Sequence, residues 1–176
     1  LGAIAVTWIA ALMLYFLGFP VLADFGSWIL CSLIGGTYAR RFLKRADTPP
    51  PGFAMALSGA LLLWVGLLMA WARPALGFDD SMVAYRMSKG FIETGFPALL
   101  LCGVAPFFFP KVLNAPNRHE FDESREIPSG WWPPAVRSAA ASALVGGGLV
   151  AHAWGHAAGG WMVALSLTAY AFTEIG

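Results

Sequence analysis

The chain has 176 residues, of which 58% are hydrophobic and only 12% are charged. A soluble domain usually carries about 25% charged residues, so this composition favours lipid over water as the solvent. The formal net charge of +1 provides no excess of positive charge, which argues against a nucleic-acid partner. The apolar residues come in runs of roughly 15–20, the length that crosses the hydrocarbon core of a bilayer. We therefore predict an all-α fold, a polytopic transmembrane helix bundle in a lipid bilayer.

The predicted elements form a single transmembrane domain of about 5–6 membrane-spanning helices. The first apolar run ends at the turn chemistry of Gly18 and Pro20, and the second ends in basic residues whose long side chains can reach the headgroups. The third run is the clearest because it is dense in leucine. The predicted spans are residues 1–19, 25–42, 53–71, 91–109, 138–155 and 161–175.

Proline and glycine set the expected interruptions. Pro97 and Pro106 lie inside the fourth run, so this span is predicted to be kinked or broken. Residues 75–90 precede it and are expected to contain a short interfacial helix around 82–87. Gly159-Gly160 is predicted to form the turn between the last two spans.

Residues 111–137 are predicted to form one long polar loop, with the Trp-Trp-Pro-Pro sequence at 131–134 near the headgroups. His119 in this loop has three acidic neighbours that can either bind a metal or form a solvated acidic surface. These neighbours are Glu120, Asp122 and Glu123.

Lysine and arginine are shared unevenly between alternate loops. Eight lie after the second and fourth spans, at Arg40, Arg41, Lys44, Arg45, Lys111, Arg118, Arg125 and Arg137, and three lie on the other side, at Arg73, Arg86 and Lys89. Because positive charge is retained in the cytoplasm, we expect the first set to face it. Both termini lie in apolar sequence, so we expect a further membrane segment at either end.

His152 and His156 are the leading candidate ligands. Their i,i+4 spacing places both imidazoles on one helical face, one turn apart. Gly148 and Gly160 would continue that face and leave a flat space for a planar cofactor or a closely packed helix. We predict that the two histidines bind haem or copper with a further ligand from elsewhere. The alternative is that they are hydrogen-bonded near the membrane interface.

A stripe of small residues lies beside the histidines. Gly147, Ala151, Gly155 and Gly159 follow one another at intervals of four residues, the pattern typical of tight helix contact in membranes. We expect this face to pack against other membrane protein subunits or further helices of the same protein.

Glu93 lies one turn into the fourth predicted span. A carboxylate inside the membrane is a candidate for a proton or ligand path, and the alternative is an interfacial acid that reaches the headgroups. Asp24 and Glu174 are interpreted as residues at span boundaries. Cys31 and Cys102 lie in apolar runs and are interpreted as small hydrophobic residues.

The region around the fourth span carries a spaced motif. Gly95-Phe96 is followed by an apolar stretch with Gly103-Val104 and by a P-x-x-L-x-x-P exit at Pro110, Leu113 and Pro116. Over residues 94–116 the chain thereby resembles the NnrS family, whose members are polytopic membrane proteins associated with haem, copper and nitric oxide stress. It departs from that family at Pro106, where a basic residue is common, and in lacking a W-H-x-H-E-M type segment. The resemblance implies haem or copper association.

Catalytic signatures such as a Walker loop, HExxH or GxSxG are missing from the sequence, so we expect no turnover chemistry. Three functional hypotheses remain. The first is an NnrS-like protein that binds haem or copper through His152, His156 or both, with Glu93 as a polar partner. The second is a non-catalytic subunit of a larger membrane complex. The third is a small transporter or channel that uses the fourth span.

Overall fold

The computed structural model describes residues 2–44, 48–75, 82–116 and 127–174. Regular structure in these ranges is entirely helical and includes no strand, which confirms the predicted all-α bundle. The elements are α1 (Gly2–Phe16), α2 (Pro20–Lys44), α3 (Phe53–Ala75), α4 (Met82–Lys89), a π-helical segment (Gly90–Gly95), α5 (Phe96–Val112), α6 (Trp132–Ala153) and α7 (Ala157–Glu174).

Four stretches of helix are long and apolar enough to cross a membrane, judged by length and composition. They cover residues 20–40, 53–74, 82–112 and 129–153. Helix α1, with 15 residues, and α7, with 18, are shorter and pack against α2 and α6 respectively. The first and last predicted spans therefore correspond to these two shorter helices.

The helices pack mainly in chain order, and the buried core lies among α3, the π-helical segment, α5, α6 and α7. Helix α3 packs on α5 and α6, and α7 closes this group against α6 and α5. At its centre, Met55, Leu99 and Val145 have no exposed surface. Helix α1 packs on α2, and α2 packs on α3, so this hairpin extends from one side of the core.

The predicted interfacial helix and the fourth span are one continuous helix from Met82 to Val112, so of the two predicted outcomes, a kink or a break, the break is absent. Pro97 has no N–H and would crowd the carbonyl of residue 93 in an α-helix. The chain avoids this clash with the π-helical segment directly before it, where the N–H of Phe96 donates to Phe91 O, five residues back. A π-bulge absorbs the proline without breaking the helix.

Left-handed residues end three of the described helices. At Gly18 (φ 82°), Asn114 (φ 51°) and Gly155 (φ 91°) the next residue donates its N–H to a carbonyl five residues back, the Schellman arrangement. Helix α6 consequently ends at Ala153, and the chain turns at residues 154–156. The turn predicted at Gly159-Gly160 is wrong, because both glycines lie in the first turn of α7.

The end of the predicted polar loop is also helical. A 3₁₀ turn at Ser129–Trp131 leads into α6, which accepts prolines in its first turn because those N–H groups need no intrahelical partner. Trp131 Nε1 donates to Pro49 O over 2.6 Å. The loops before α3 and before α6 therefore lie at the same end of the bundle. The acidic group around His119 lies outside the described residues.

Candidate functional site

The two predicted histidine ligands lie at one turn but not on one helix. His152 is in the last turn of α6, and His156 follows the left-handed Gly155 outside any helix. The predicted shared helical face is therefore wrong, because the Schellman turn reverses the chain between them. Both side chains are exposed. Two imidazoles are thus presented near the same end of the bundle as the α1–α2 turn.

The small residues near the histidines allow α6 and α7 to pack closely against each other. A Cβ added at Gly148 would lie 2.8 Å from Gly159 O, and one added at Gly159 would lie less than 3.0 Å from Gly148 O and His152 N. Backbones of α6 and α7 touch here, as expected for small residues between membrane helices. Of the predicted stripe, Gly155 belongs to the turn and Gly159 to α7, so the four residues do not form one helical face.

Metal binding was expected at the histidines, and it requires several donors close together. Within residues 2–44, 48–75, 82–116 and 127–174, the structure contains no group of three or more His, Cys, Asp or Glu side chains that would hold a metal ion. A metal at His152 or His156 would therefore need donors from elsewhere.

A charged cleft of ≈ 210 Å³ lies between α2, α3 and the α4–π region, and we call it the α2–α4 cleft. Among the residues that the structure describes, its polar lining comes from three helices and carries two acidic and two basic groups. They are Asp24, Arg73, Tyr85, Ser88, Lys89 and Glu93. Ala70 and Ile92 supply its apolar lining.

The charges in the cleft are held loosely. Lys89 Nζ lies 3.8 Å from Glu93 Oε2, and the two side chains are 53% and 61% exposed. The guanidinium carbon of Arg73 lies 5.1 Å from the centre of the Tyr85 ring, a cation–π distance that leaves the N–H groups at the guanidinium edge. At 3.8 Å the Lys89–Glu93 pair is longer than a hydrogen bond, so both groups keep hydrogen-bonding capacity for a ligand.

The depth of the cleft follows from the packing of α3 against α4. Buried Ser88 Oγ donates to Gly66 O over 2.9 Å. Gly66 precedes Pro74, the end of the apolar stretch of α3, by eight residues, or about 12 Å of helix. Arg73 lies at the end of that stretch, and Asp24 lies four residues into the apolar stretch of α2. The cleft therefore runs from the end of the spans towards their interior.

The π-helical segment leaves one backbone carbonyl without its helical donors in a residue that lines the cleft. Because Phe96 donates its N–H to Phe91 O and Pro97 has none, the carbonyl of Ile92 receives neither of its helical donors. Ile92 and Glu93 line the cleft directly beside this carbonyl. Such local changes of helical hydrogen bonding are frequent at functional sites.

Sequence reasoning identified Glu93 but not the cleft around it. Asp24 had been interpreted as a boundary residue, and Tyr85 and Ser88 were expected in a separate interfacial element. Tyr85, Ser88 and Glu93 reach one cleft because residues 82–97 form a continuous helix. The sequence did not indicate this continuity, because prolines and glycines usually mark a break. Arg73 and Asp24 meet there only because α2 and α3 are neighbours, and spacing along the chain does not encode that contact.

Comparison with known proteins identifies no relative: the chain matches no family model, no curated protein and no solved structure.

Proposed function

We propose that the chain is a non-catalytic membrane module that packs against further transmembrane helices, supplied by other subunits or by the same protein. The supporting observation is the open packing of the α1–α2 hairpin. Only 6% of the apolar stretch of α2 is buried, against 39% for that of α6. Lipid can cover apolar side chains, but helix backbone that is exposed at small residues packs better against another helix.

Gly35 and Gly36 supply such a surface on α2. A Cβ added at either position would meet no atom within 4 Å, so neither glycine is required by packing within the described part of the chain. Glycine inside a helix costs roughly 0.5–1 kcal/mol relative to alanine. Contact with an incoming helix backbone would offset that cost.

The test is the assembled mass in mild detergent, compared between Gly36→Leu and the matched variant Gly146→Leu. Gly146 is also a helical glycine with open space around an added Cβ, but it lies on α6. We expect Gly36→Leu to shift the particle towards the 18.8 kDa single chain while Gly146→Leu retains the wild-type mass. Equal masses for both variants and the wild type would contradict docking at α2.

A second candidate is NnrS-like association with haem or copper through His152, His156 or both, in a bacterial inner membrane. It is supported by the resemblance over residues 94–116 and by the exposure of both imidazoles near one turn. An absorption spectrum with metal analysis tests it. We expect a Soret band or bound copper that His152→Ala or His156→Ala removes, and protein without either group after expression with ample haem and copper would contradict it.

A further inference from the structure

We propose that the α2–α4 cleft binds the headgroup of a zwitterionic phospholipid with a primary ammonium, of the phosphatidylethanolamine type. This inference concerns a different surface from the docking of helices at α2 and does not depend on it. It requires only that the apolar stretches lie in a bilayer.

The first argument is the amphiphilic profile of the cleft. Arg73 lies at the end of the apolar stretch of α3, whereas Ile92 packs at the level of Gly66, about 10 Å deeper. Glu93 lies beside Ile92, but its carboxylate pairs with Lys89, one turn nearer to the span end. Charged groups gathered towards the span ends, with Ala70 and Ile92 as apolar lining, match a lipid, whose headgroup lies at the interface and whose chains extend inward. A water-soluble ligand would gain nothing from that wall.

The second argument is the balance of charge. Arg73 and Lys89 can donate hydrogen bonds to a phosphate, and Asp24 and Glu93 can accept them from an ammonium. A simple anion would meet two carboxylates and a simple cation would meet two basic groups, so each would be repelled by half of the cleft. A ligand that carries both charges satisfies all four groups.

The third argument distinguishes the ammonium type. A primary ammonium donates three N–H hydrogen bonds, which the carboxylates of Asp24 and Glu93 can accept. A quaternary choline group donates none and is usually held by an aromatic cage. In the described lining of the cleft the one aromatic ring is Tyr85, and Arg73 already lies over it. The cleft therefore favours ethanolamine over choline.

The fourth argument is size. Sites that enclose a whole small molecule usually measure about 300–1,000 Å³, and this cleft measures ≈ 210 Å³. It accommodates a headgroup while the remainder of the ligand stays outside. At this depth the outside of the protein is the acyl-chain region, where the rest of a lipid molecule already resides.

Native mass spectrometry of the detergent-purified protein with an equimolar mixture of dioleoyl phosphatidylethanolamine and phosphatidylcholine tests the proposal. We expect at least about tenfold more bound ethanolamine lipid, because a hydrogen bond to a charged group contributes about 1.5–3 kcal/mol. Glu93→Gln and Arg73→Gln should each reduce ethanolamine-lipid binding about tenfold. The control Arg40→Gln, an exposed basic residue towards the other end of α2, should bind as the wild type does.

Any of four further results would overturn the proposal. Equal binding of the two lipids, or unchanged binding by Glu93→Gln that keeps its circular dichroism spectrum, would overturn the proposal. Stronger binding of phosphatidylglycerol would overturn it in favour of an anion site. Competition by free phosphoethanolamine at the same concentration as the lipid would overturn the bilayer as the source of the ligand.

Discussion

Replacing Gly159 with alanine tests the closest helix contact in the chain. The added Cβ would lie less than 3.0 Å from Gly148 O and His152 N, at least about 0.4 Å short of the ordinary contact distance of 3.4 Å. Both obstacles are backbone atoms, so α6 and α7 must separate. Overpacking of this kind costs typically 1–3 kcal/mol, and we take about 3 kcal/mol because no side chain can move aside. The better helix propensity of alanine returns about 1 kcal/mol, leaving a net loss of about 2 kcal/mol.

A loss of that size corresponds to a fall in melting temperature of roughly 4–8 °C for a chain of this length. Thermal unfolding of the detergent-solubilised protein, followed by circular dichroism, measures it. Gly146→Ala is the matched control, because its Cβ meets nothing within 4 Å, and its melting temperature should stay constant or rise. If Gly159→Ala melts at or above the wild-type temperature, the α6–α7 contact described above is not the one the protein uses.

Two further substitutions probe single hydrogen bonds. Ser138 Oγ donates to Pro134 O, so Tyr170 donates its hydroxyl hydrogen to Ser138 over 3.0 Å in a buried site. Tyr170→Phe should lower the free energy of unfolding by about 1 kcal/mol. An unchanged melting temperature would contradict the bond. Trp131→Phe removes the donor to Pro49 O. Amide hydrogen exchange should then accelerate at Phe53, Met55 and Ala56, which donate to Pro50 O and Gly52 O in the same segment, and not in α7. Equal protection in both proteins would show that the two loops are not joined.

Long apolar runs predicted most of the helices because membrane helices need little beyond length and composition to be recognised. The predicted third span began at residue 53, where α3 begins. Proline was the main source of error. Pro97 lies in a helix that a π-helical segment keeps continuous, and Pro133 lies in the first turn of α6, where a proline costs nothing.

The error at the histidines has a different physical origin. Gly155 fits a small-residue stripe and a helix C-terminal glycine equally well by residue type, and a histidine in the preceding turn favours the second interpretation. Once the chain reverses there, Gly148 and Gly159 face each other across two helices. The α2–α4 cleft was beyond sequence reasoning because Asp24, Arg73 and Glu93 are joined by helix packing alone.

Cysteine labelling in sealed membrane vesicles tests the membrane-spanning bundle most directly. In a background without Cys31 and Cys102, single cysteines replace Ser129, Ala143 and His156, which lie before, within and after α6. We predict that an impermeant maleimide labels Ser129→Cys and His156→Cys from opposite faces. Although Ala143 is exposed on the protein surface, Ala143→Cys should react only after detergent is added, because lipid surrounds it. Labelling of Ala143→Cys in intact vesicles as fast as His156→Cys, or labelling of both ends from one face, would contradict a helix that crosses the bilayer.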